Sequence, residues 1–484
     1  NAMKTLFSTI LLGISITLSA QIVTIPDPNF KSALVNDPVV DLDGDYNGDV
    51  DADSNDDGEI QESEALAVIN LMIRNKNISD LTGLESFLNL QNLTADDNLF
   101  TSIDTSQFQD LLNLSLVNIP LTNLDLSGNP LLEGINVRST SLLTLDLTHN
   151  PEMYYIFFEN SDLQFIDFSQ STNMYIVFGD NNQLTSVDFS NCPSLYTAYL
   201  SFGQIEDIDV SGNCQGLEFL FMDYNQLTEI DVTQNPNLKV LLAAASSIEA
   251  IDLSNNPLLY HLQLGQNPIA NLDVSSNPNL EVLLADGVPI SDLDFSQNPL
   301  LRVVDLTFTN ITSLDVSQNP LLEDLSVSHS PLTSLDVTQN TVLDILYCRS
   351  TQMESLNLKN APLSEMDAVN NPNLECIEVD DVIAASTNPF WHKDAAAIYS
   401  EHCTLGLEEN TSGSFVLFPN PTNKFITIQS NTSIGNVIVY SYNGTKMIQY
   451  ENVSQIDVSH LASGLYFIAV STIKETGILK FLKL

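Results

Sequence analysis

Residues 321–340 read LLEDLSVSHSPLTSLDVTQN, and the way this stretch recurs decides the fold. Leu322, Leu325, Val327, Leu332, Leu335 and Val337 point inward, while Asp324, Ser326 and Ser328 alternate outward with the period of two that a strand requires. Leu-Asp-Val-Ser and close variants recur at 124–127, 145–148, 208–211, 272–275, 293–296, 314–317 and 335–338, the last four starting 21 residues apart. Most are followed by Asn-Pro, as at Asn129, Asn235, Asn277, Asn298 and Asn319. One strand cannot bury its apolar side alone, so each coil must close the core of its neighbours. The Asn-Pro steps turn the chain, Asn by bonding nearby backbone and Pro by fixing φ.

A period of 21 lies in the leucine-rich-repeat range. No helical pattern separates the strands, so the Leu-Asp-Val-Ser side of each coil is expected to be extended as well. The expected fold is an α/β leucine-rich-repeat solenoid, mostly β with little helix, followed by a small C-terminal β-sandwich. Inner strands are expected at 93–96, 114–117, 135–138, 156–159, 177–180, 198–201, 220–223, 241–244, 262–265, 283–286, 304–307, 325–328 and 346–349. Met366 follows Leu356 by only 10 residues, which reads as a truncated coil approaching the C-terminal cap.

With 62 acidic against 15 basic residues the formal charge is −47. Duplex nucleic acid binding needs cations that displace counterions from phosphates, so nucleic acid is not an expected partner. Metal cations are the natural complement, although such a surface also serves solubility. Met3 and Lys4, the apolar run 6–18 and the small residues Ser19 and Ala20 read as a cleaved secretory signal over 1–20, with Asn1-Ala2 as a cloning remnant. No later stretch is long and apolar enough for a membrane helix.

The strongest chemical motif is DSNDDGEIQESE at 53–64. Asp53, Asn55 and Asp57 offer side-chain oxygens, Glu59 its carbonyl and Glu64 two oxygens, with Gly58 at the sharp turn, as in an EF-hand calcium loop. Residues 63–72 read as its exit helix. A second loop at Asp43, Asp45, Asn47 and Asp49 has Ser54 at the twelfth position, so it would be weaker or share ligands with the first. Calcium in this 21–80 cap would be structural, because the carboxylates otherwise repel one another.

The repeats occupy 81–380 and a C-terminal cap 381–405, with a short helix-like run ending near Tyr399. Cys376 and Cys403 are placed to form a disulfide over the open end of the core; the five cysteines leave at least one free thiol or an intermolecular bond. Residues 406–412 read as a linker. Within 413–484, strand-like alternation and an Asn443-Gly444 turn suggest the sandwich.

The pattern LxxLxVxxxxLxxLDVSxNPxL over roughly 22–403 resembles bacterial leucine-rich-repeat surface proteins, distantly the internalins and more closely those of Bacteroidetes. That resemblance implies adhesion or protein recognition without naming a ligand. The C-terminal segment, through Phe418-Pro419-Asn420-Pro421, the 440–444 turn, Leu461-Ala462-Ser463-Gly464-Leu465-Tyr466 and Lys480-Phe481, resembles the type A sorting domain of the type IX (Por) secretion system. It implies passage through the periplasm and across the outer membrane by that machinery, removal of the domain, and a secreted or cell-surface product.

Outward residues of the inner strands form the usual recognition strip of a solenoid. Here they are Tyr155, Phe157 and Glu159, then Ile176, Phe178 and Asp180, then Thr197, Tyr199 and Ser201, then Phe219, Phe221 and Asp223. Exposed aromatics at this density suggest a protein or peptide site, with the carboxylates selecting basic groups. A glycan stacking on Tyr155 and Tyr199, a purely structural role, and a register one residue off that would bury the rings remain alternatives. None of the six histidines sits in a recognised ligand pair, and no nucleophile elbow or phosphate loop is present, so no enzyme is expected.

Overall fold

A computed structural model describes residues 21–212, 214–403, 415–430, 432–441, 445–472 and 476–484. The expected leader 1–20, the linker 406–412 and the Asn443-Gly444 turn lie outside these residues. The chain forms two compact units that part between Glu401 and His402.

The first unit is the solenoid. Its front is a parallel sheet of 16 strands running in chain order from Asn70–Met72 to Trp391–Lys393, one short strand per coil. Register stacks the inward residue of each strand on that of the next: Leu71 on Leu93, Ile156 on Val177, Ala198 on Leu220, Leu325 on Leu346. These central residues are buried and the residues on either side face out. The rings of Tyr155, Phe157, Phe178 and Tyr199 therefore point away from the core, and the register expected from sequence holds. The strands start one residue earlier than expected, at Asp324 rather than Leu325 for example, because pairing is centred on the buried residue.

The Leu-Asp-Val-Ser side forms short back sheets at Thr144–Asp146 with Phe165–Asp167, at Ser186–Asp188 with Asp207–Asp209, and from Ser334–Asp336 to Ile398–Ser400. Each repeated Asp accepts a bond from the backbone N–H two residues on, as Asp273 does from Ser275 at 2.9 Å and Asp315 from Ser317 at 2.8 Å. Hydrogen bonds from Ser275 and from Ser317 hold both carboxyls below the ordinary range.

The repeated Asn does more than turn its own chain. Asn129, Asn150, Asn235, Asn256, Asn277, Asn298, Asn319 and Asn340 are fully buried. Asn277 donates through Nδ2 to Leu253 O at 3.1 Å and Asn256 O at 2.9 Å, both on the preceding coil, and its fellows repeat the pattern. The bonds thus run between coils rather than to nearby backbone. Cys192 and Cys214 stand in the same column, where the single S–H of Cys214 is shared between Phe189 O and Cys192 O at 3.1 and 3.2 Å.

Three expectations are corrected. Residues 63–72 are not a helix: Glu62–Ala65 makes one turn, closed by a capping box between Gln61 and Glu64, and Asn70–Met72 is already the first front strand. The 10-residue step to Met366 is no truncated coil, since Leu356 lies in a back strand and Met366 in the next front strand, paired with Leu346. The run toward Tyr399 is not helical; Trp391–Lys393 and Ile398–Ser400 extend the front and back sheets, and the helix, Val382–Thr387, precedes them.

At the N-terminus, helix Pro28–Asn36 buries Phe30, Ala33 and Leu34 against the core. Asp27 caps it, accepting from Asn29 and Phe30, and also from the backbone and hydroxyl of Ser79. Cys376 and Cys403 are both disulfide-bonded while the other three cysteines are free, so the expected pair forms. The second unit has a three-stranded and a four-stranded antiparallel sheet around one core that includes Ile426, Ile456, Val437, Ile468 and Phe481.

Two expectations about stability follow from these bonds. Asn277→Ala removes two buried inter-coil bonds, leaving Leu253 O and Asn256 O only their backbone donors, and should lower the unfolding free energy by about 1–3 kcal/mol, whereas Asp273→Ala on the exposed back should cost under about 1 kcal/mol. Equal costs in urea titrations would contradict the ladder. Burial opposes charge on Asp27, but its hydrogen bonds outweigh that and hold the carboxyl at about 2. Because this lies below the unfolded value, the stabilisation is present above about pH 4 and is lost as pH falls toward about 2. The stability gap between wild type and Asp27→Asn should therefore close over that window; a gap independent of pH would refute the assignment.

Candidate functional site

Four adjacent coils bring the expected rings together on the front sheet. Phe157 stacks on Phe178 with centroids 5.1 Å apart, Phe178 meets Tyr199 edge-on at 4.6 Å, and Tyr199 stacks on Phe221 at 4.0 Å. Tyr155 tilts against Phe157 at 5.1 Å. Its ring lies across Gly134, where a Cβ would come within 2.0 Å of Cζ, so only glycine permits this path. The Tyr155 hydroxyl reaches Asn113 Oδ1 at 2.8 Å. From there amides continue the chain: Asn113 donates to Asn92, Asn92 to Asn70, and Asn70 to Asp41 O. A cavity of about 160 Å³ opens here among Tyr46, Arg74, Asn92, Asn113, Tyr155 and Phe157.

A second column of rings was missed from sequence. Tyr154, Tyr175 and Tyr196 stack nearly parallel at 5.0 and 4.9 Å, and Tyr196 meets Phe219 edge-on at 5.2 Å. They stand one residue ahead of the strands or farther, outside the period-two positions, but their 21-residue spacing was available to be read. Thr197 is buried between Ile176 and Phe219, which interrupts the column that Tyr155 begins.

The expected carboxylates differ in what they can offer. Glu159 is already paired with Arg138 at 2.7 Å, and that guanidinium lies 4.6 Å above the Phe157 ring. Asp180 and Asp223 each accept one backbone N–H, from Ser201 and Ala244, both at 2.7 Å. Burial raises both carboxyls above the ordinary range despite those bonds. Lys31, Arg74, Lys76, Arg138, Lys239, Arg302, Arg349 and Lys359 of this unit all sit in ion pairs. The burial of Cys192, Cys214 and Cys348 pushes their thiols up to about 12, which keeps them protonated and unreactive.

The acidic loops of the N-terminal cap have a clear internal repeat. Asp53 accepts from Asp57 N and Gly58 N, with Asp56 and Gly58 in the left-handed region. Twelve residues earlier Asp41 accepts from Gly44 N and Tyr46 N, with Gly44 and Tyr46 left-handed. The first loop thus begins at Asp41 and not Asp43. Gly48, sixth from Asp43, is glycine for a different reason than a calcium-loop turn: a Cβ there would lie 1.8 Å from Pro38 O. Oxygens of Asp41, Asp43 and Asp49 lie within 4.8 Å of one another, while Asp45 accepts from Asn47 N at the rim. In the second loop Asp53 and Glu64 are buried, and the Gln61 amide donates to both oxygens of Asp57. Asn55 bonds Gln61, and Glu59 pairs with Lys31 through its side chain, leaving its carbonyl to the loop. The clustered donors of the Asp41 loop are hard oxygens, the kind calcium takes, whereas in the Asp53 loop the Gln61 amide occupies the Asp57 oxygens.

Among described residues no helix is long and apolar enough to cross a membrane. No curated protein matches the chain. Among solved structures it is similar to the functional domain of InlJ from Listeria monocytogenes, which includes a cysteine ladder, at 23% identity over 96% of this chain and 98% of that one, with a TM-score of 0.64. It is also similar to the internalin InlF of Listeria monocytogenes at 20% identity, over 68% of this chain and 98% of that one, with a TM-score of 0.54. These likenesses establish an internalin-like leucine-rich-repeat solenoid. Residues 416–483 match the secretion system C-terminal sorting domain family, so the chain carries a type IX sorting tail and is exported to the cell surface or secreted.

Proposed function

We propose that this exported solenoid binds a protein or peptide along the ring strip of its front sheet, centred on Tyr155, Phe157, Phe178, Tyr199, Phe219 and Phe221. The observation that carries this reading is the run of stacked, outward rings. Single exposed aromatics are ordinary, but a contiguous run resembles the aromatic anchors that dominate protein interfaces. The geometry favours polypeptide over glycan. Rings that stack on one another, as in Tyr199 on Phe221 and Tyr154 on Tyr175, use their faces internally and present edges and hydroxyls outward. A sugar needs an open ring face, whereas apolar side chains pack against edges.

The cap is proposed to hold calcium in its two loops as a structural ion, through Asp41, Asp43, Asp45, Asn47 and Asp49 and through Asp53, Asn55, Asp57, Glu59 and Glu64. Bound there, the ion would neutralise carboxylates that crowd against the first coil. Ile60, fully buried beneath the second loop, ties that loop to the core.

In an array of purified proteins and glycans, wild type should give saturable binding to a protein. Phe157→Ser with Phe221→Ser should weaken it by at least about tenfold with the melting temperature nearly unchanged. Binding to glycans alone would reverse the reading, and binding to neither would end it. For the metal, a chelator should lower the melting temperature and addition of calcium restore it, with Asp41→Asn and Glu64→Gln each reproducing part of the loss. A melting curve indifferent to verified calcium removal would exclude structural calcium.

A further inference from the structure

The corner that follows each front strand is left-handed, at Asn75, Asp97, Asn118, Ser139, Asn160, Asn181 and onward along the solenoid. Asn, Asp, Ser and Gly suit this conformation; a bulky ring does not, and it is a rare occupant. Phe308 and His329 stand and stack here farther along the solenoid, and the two consecutive coils that also carry front-sheet rings place Phe202 and Tyr224 here, at φ of 61° and 57°. Both rings are more than half exposed and stack on each other with centroids 4.9 Å apart. Neither is needed to close the core. These positions are therefore unfavourable twice over, in backbone conformation and in exposed apolar surface.

Their location gives them a use. The same two coils carry Tyr199 and Phe221 on the front sheet, stacked at 4.0 Å. Asp180, bonded to Ser201 N, lies over the segment between Tyr199 and Phe202. Asp223 immediately precedes Tyr224, and its Oδ1 accepts from Ala244 N. The Oδ2 atoms of both carboxylates accept no hydrogen bond among the described residues. Burial first and then the charge of Asp180 raise the Tyr199 hydroxyl, and burial, against the Ala244 bond, together with Asp180 raises the Asp223 carboxyl. Neither has a cation in an ion pair, although eight other carboxylates of this unit do. Two aromatic rails thus flank two half-buried, uncompensated acids.

We propose that this strip, between Tyr199–Phe221 and Phe202–Tyr224, is a subsite for a cationic side chain, lysine or arginine, of a polypeptide partner. The charge meets Asp180 and Asp223, and the aliphatic stem lies along the rings, with cation–π attraction adding to the ion pair. The inference rests on the reading of the front sheet as a protein-binding surface and assigns the chemistry of one contact within it. The occupant follows from charge complementarity and from ring positions that the fold does not ask for.

The test uses the full chain and a fluorescent tetra-arginine peptide at physiological salt, with tetra-citrulline as the uncharged control. A strongly acidic protein attracts any polycation, so the decisive variant keeps its charge: Phe202→Asn with Tyr224→Asn gives both corners the residue found at the preceding corner, Asn181. It should weaken tetra-arginine binding about two- to fivefold and leave the melting temperature equal or higher. Asp180→Asn with Asp223→Asn should weaken binding more than Asp209→Asn with Asp231→Asn, which removes the same charge from the back. Wild-type affinity in the ring variant, equal effects of the two aspartate pairs, no preference for arginine over citrulline, or a lower melting temperature in the ring variant would each overturn the subsite. Array partners indifferent to Phe202→Asn with Tyr224→Asn would leave the strip reading standing and end this one. Arginine discrimination without any array partner would do the opposite.

Discussion

Everything in the first unit depends on one coil being able to dock on the next at a fixed register. The apolar column supplies the drive, since Leu71, Leu93, Leu114 and Ile135 and their successors remove one another from water. It does not by itself set the register, because apolar contact is not directional. The buried asparagines do. Asn256 donating to Val232 O and Asn235 O, and Asn277 donating to Leu253 O and Asn256 O, fix each turn against the one before it. An asparagine shifted by one residue would leave its amide unpaired in a dry interior and take the inter-coil bond from two carbonyls. A serine or cysteine in the column brings one donor hydrogen where asparagine brings two. Ser171 has no partner for its hydroxyl, and Cys192 reaches Phe168 O only at 3.9 Å.

A fixed register turns sequence columns into surface columns. Whatever residue occupies a given place in successive coils meets its own kind about one strand spacing away. This explains why the rings stack on one another instead of scattering, and why carboxylates in the same column would repel unless something intervenes. Where the chain has cations it uses them between coils: Arg138 with Glu159, Lys239 with Glu218, Arg302 with Glu323. These pairs are partly exposed and individually weak. Their effect on recognition is larger than their effect on stability, because they remove Glu159, Glu218 and Glu323 from the set of charges a ligand can meet.

The repeat, the orientation of Tyr155, Phe157, Phe178 and Phe221, and the Cys376–Cys403 bond were legible because each follows from period or from a short local pattern. The misread features have non-local causes. The first acidic loop starts at Asp41, but Tyr46 occupies the left-handed position that a glycine would have advertised, and the nearby Gly48 serves a close approach to Pro38. Residues 66–72 carry an apolar pattern compatible with a helix, yet Leu71 pairs with Leu93 and the sheet claims it. The step from Leu356 to Met366 looked irregular only because front and back of a coil were counted as one series.

The same logic separates structural from recognition residues on the front sheet. A position constrained by docking should carry the residue that docking favours in every coil, as the asparagine column nearly does. The outward positions do not behave this way. Tyr155, Ile176, Thr197, Phe219, Val240, His261, Val282, Val303, Asp324 and Ile345 occupy one column and range from aromatic through β-branched aliphatic to acidic. Even the strained corners vary, from Asn181 to Phe202 to Ala245. Stacking tolerates all of these residues and selects none. Docking therefore does not ask for the run of front-sheet rings from Tyr155 to Phe221, which gives way to polar residues such as Asp324 and Ser326 farther along, and this is what supports reading that run as a contact surface.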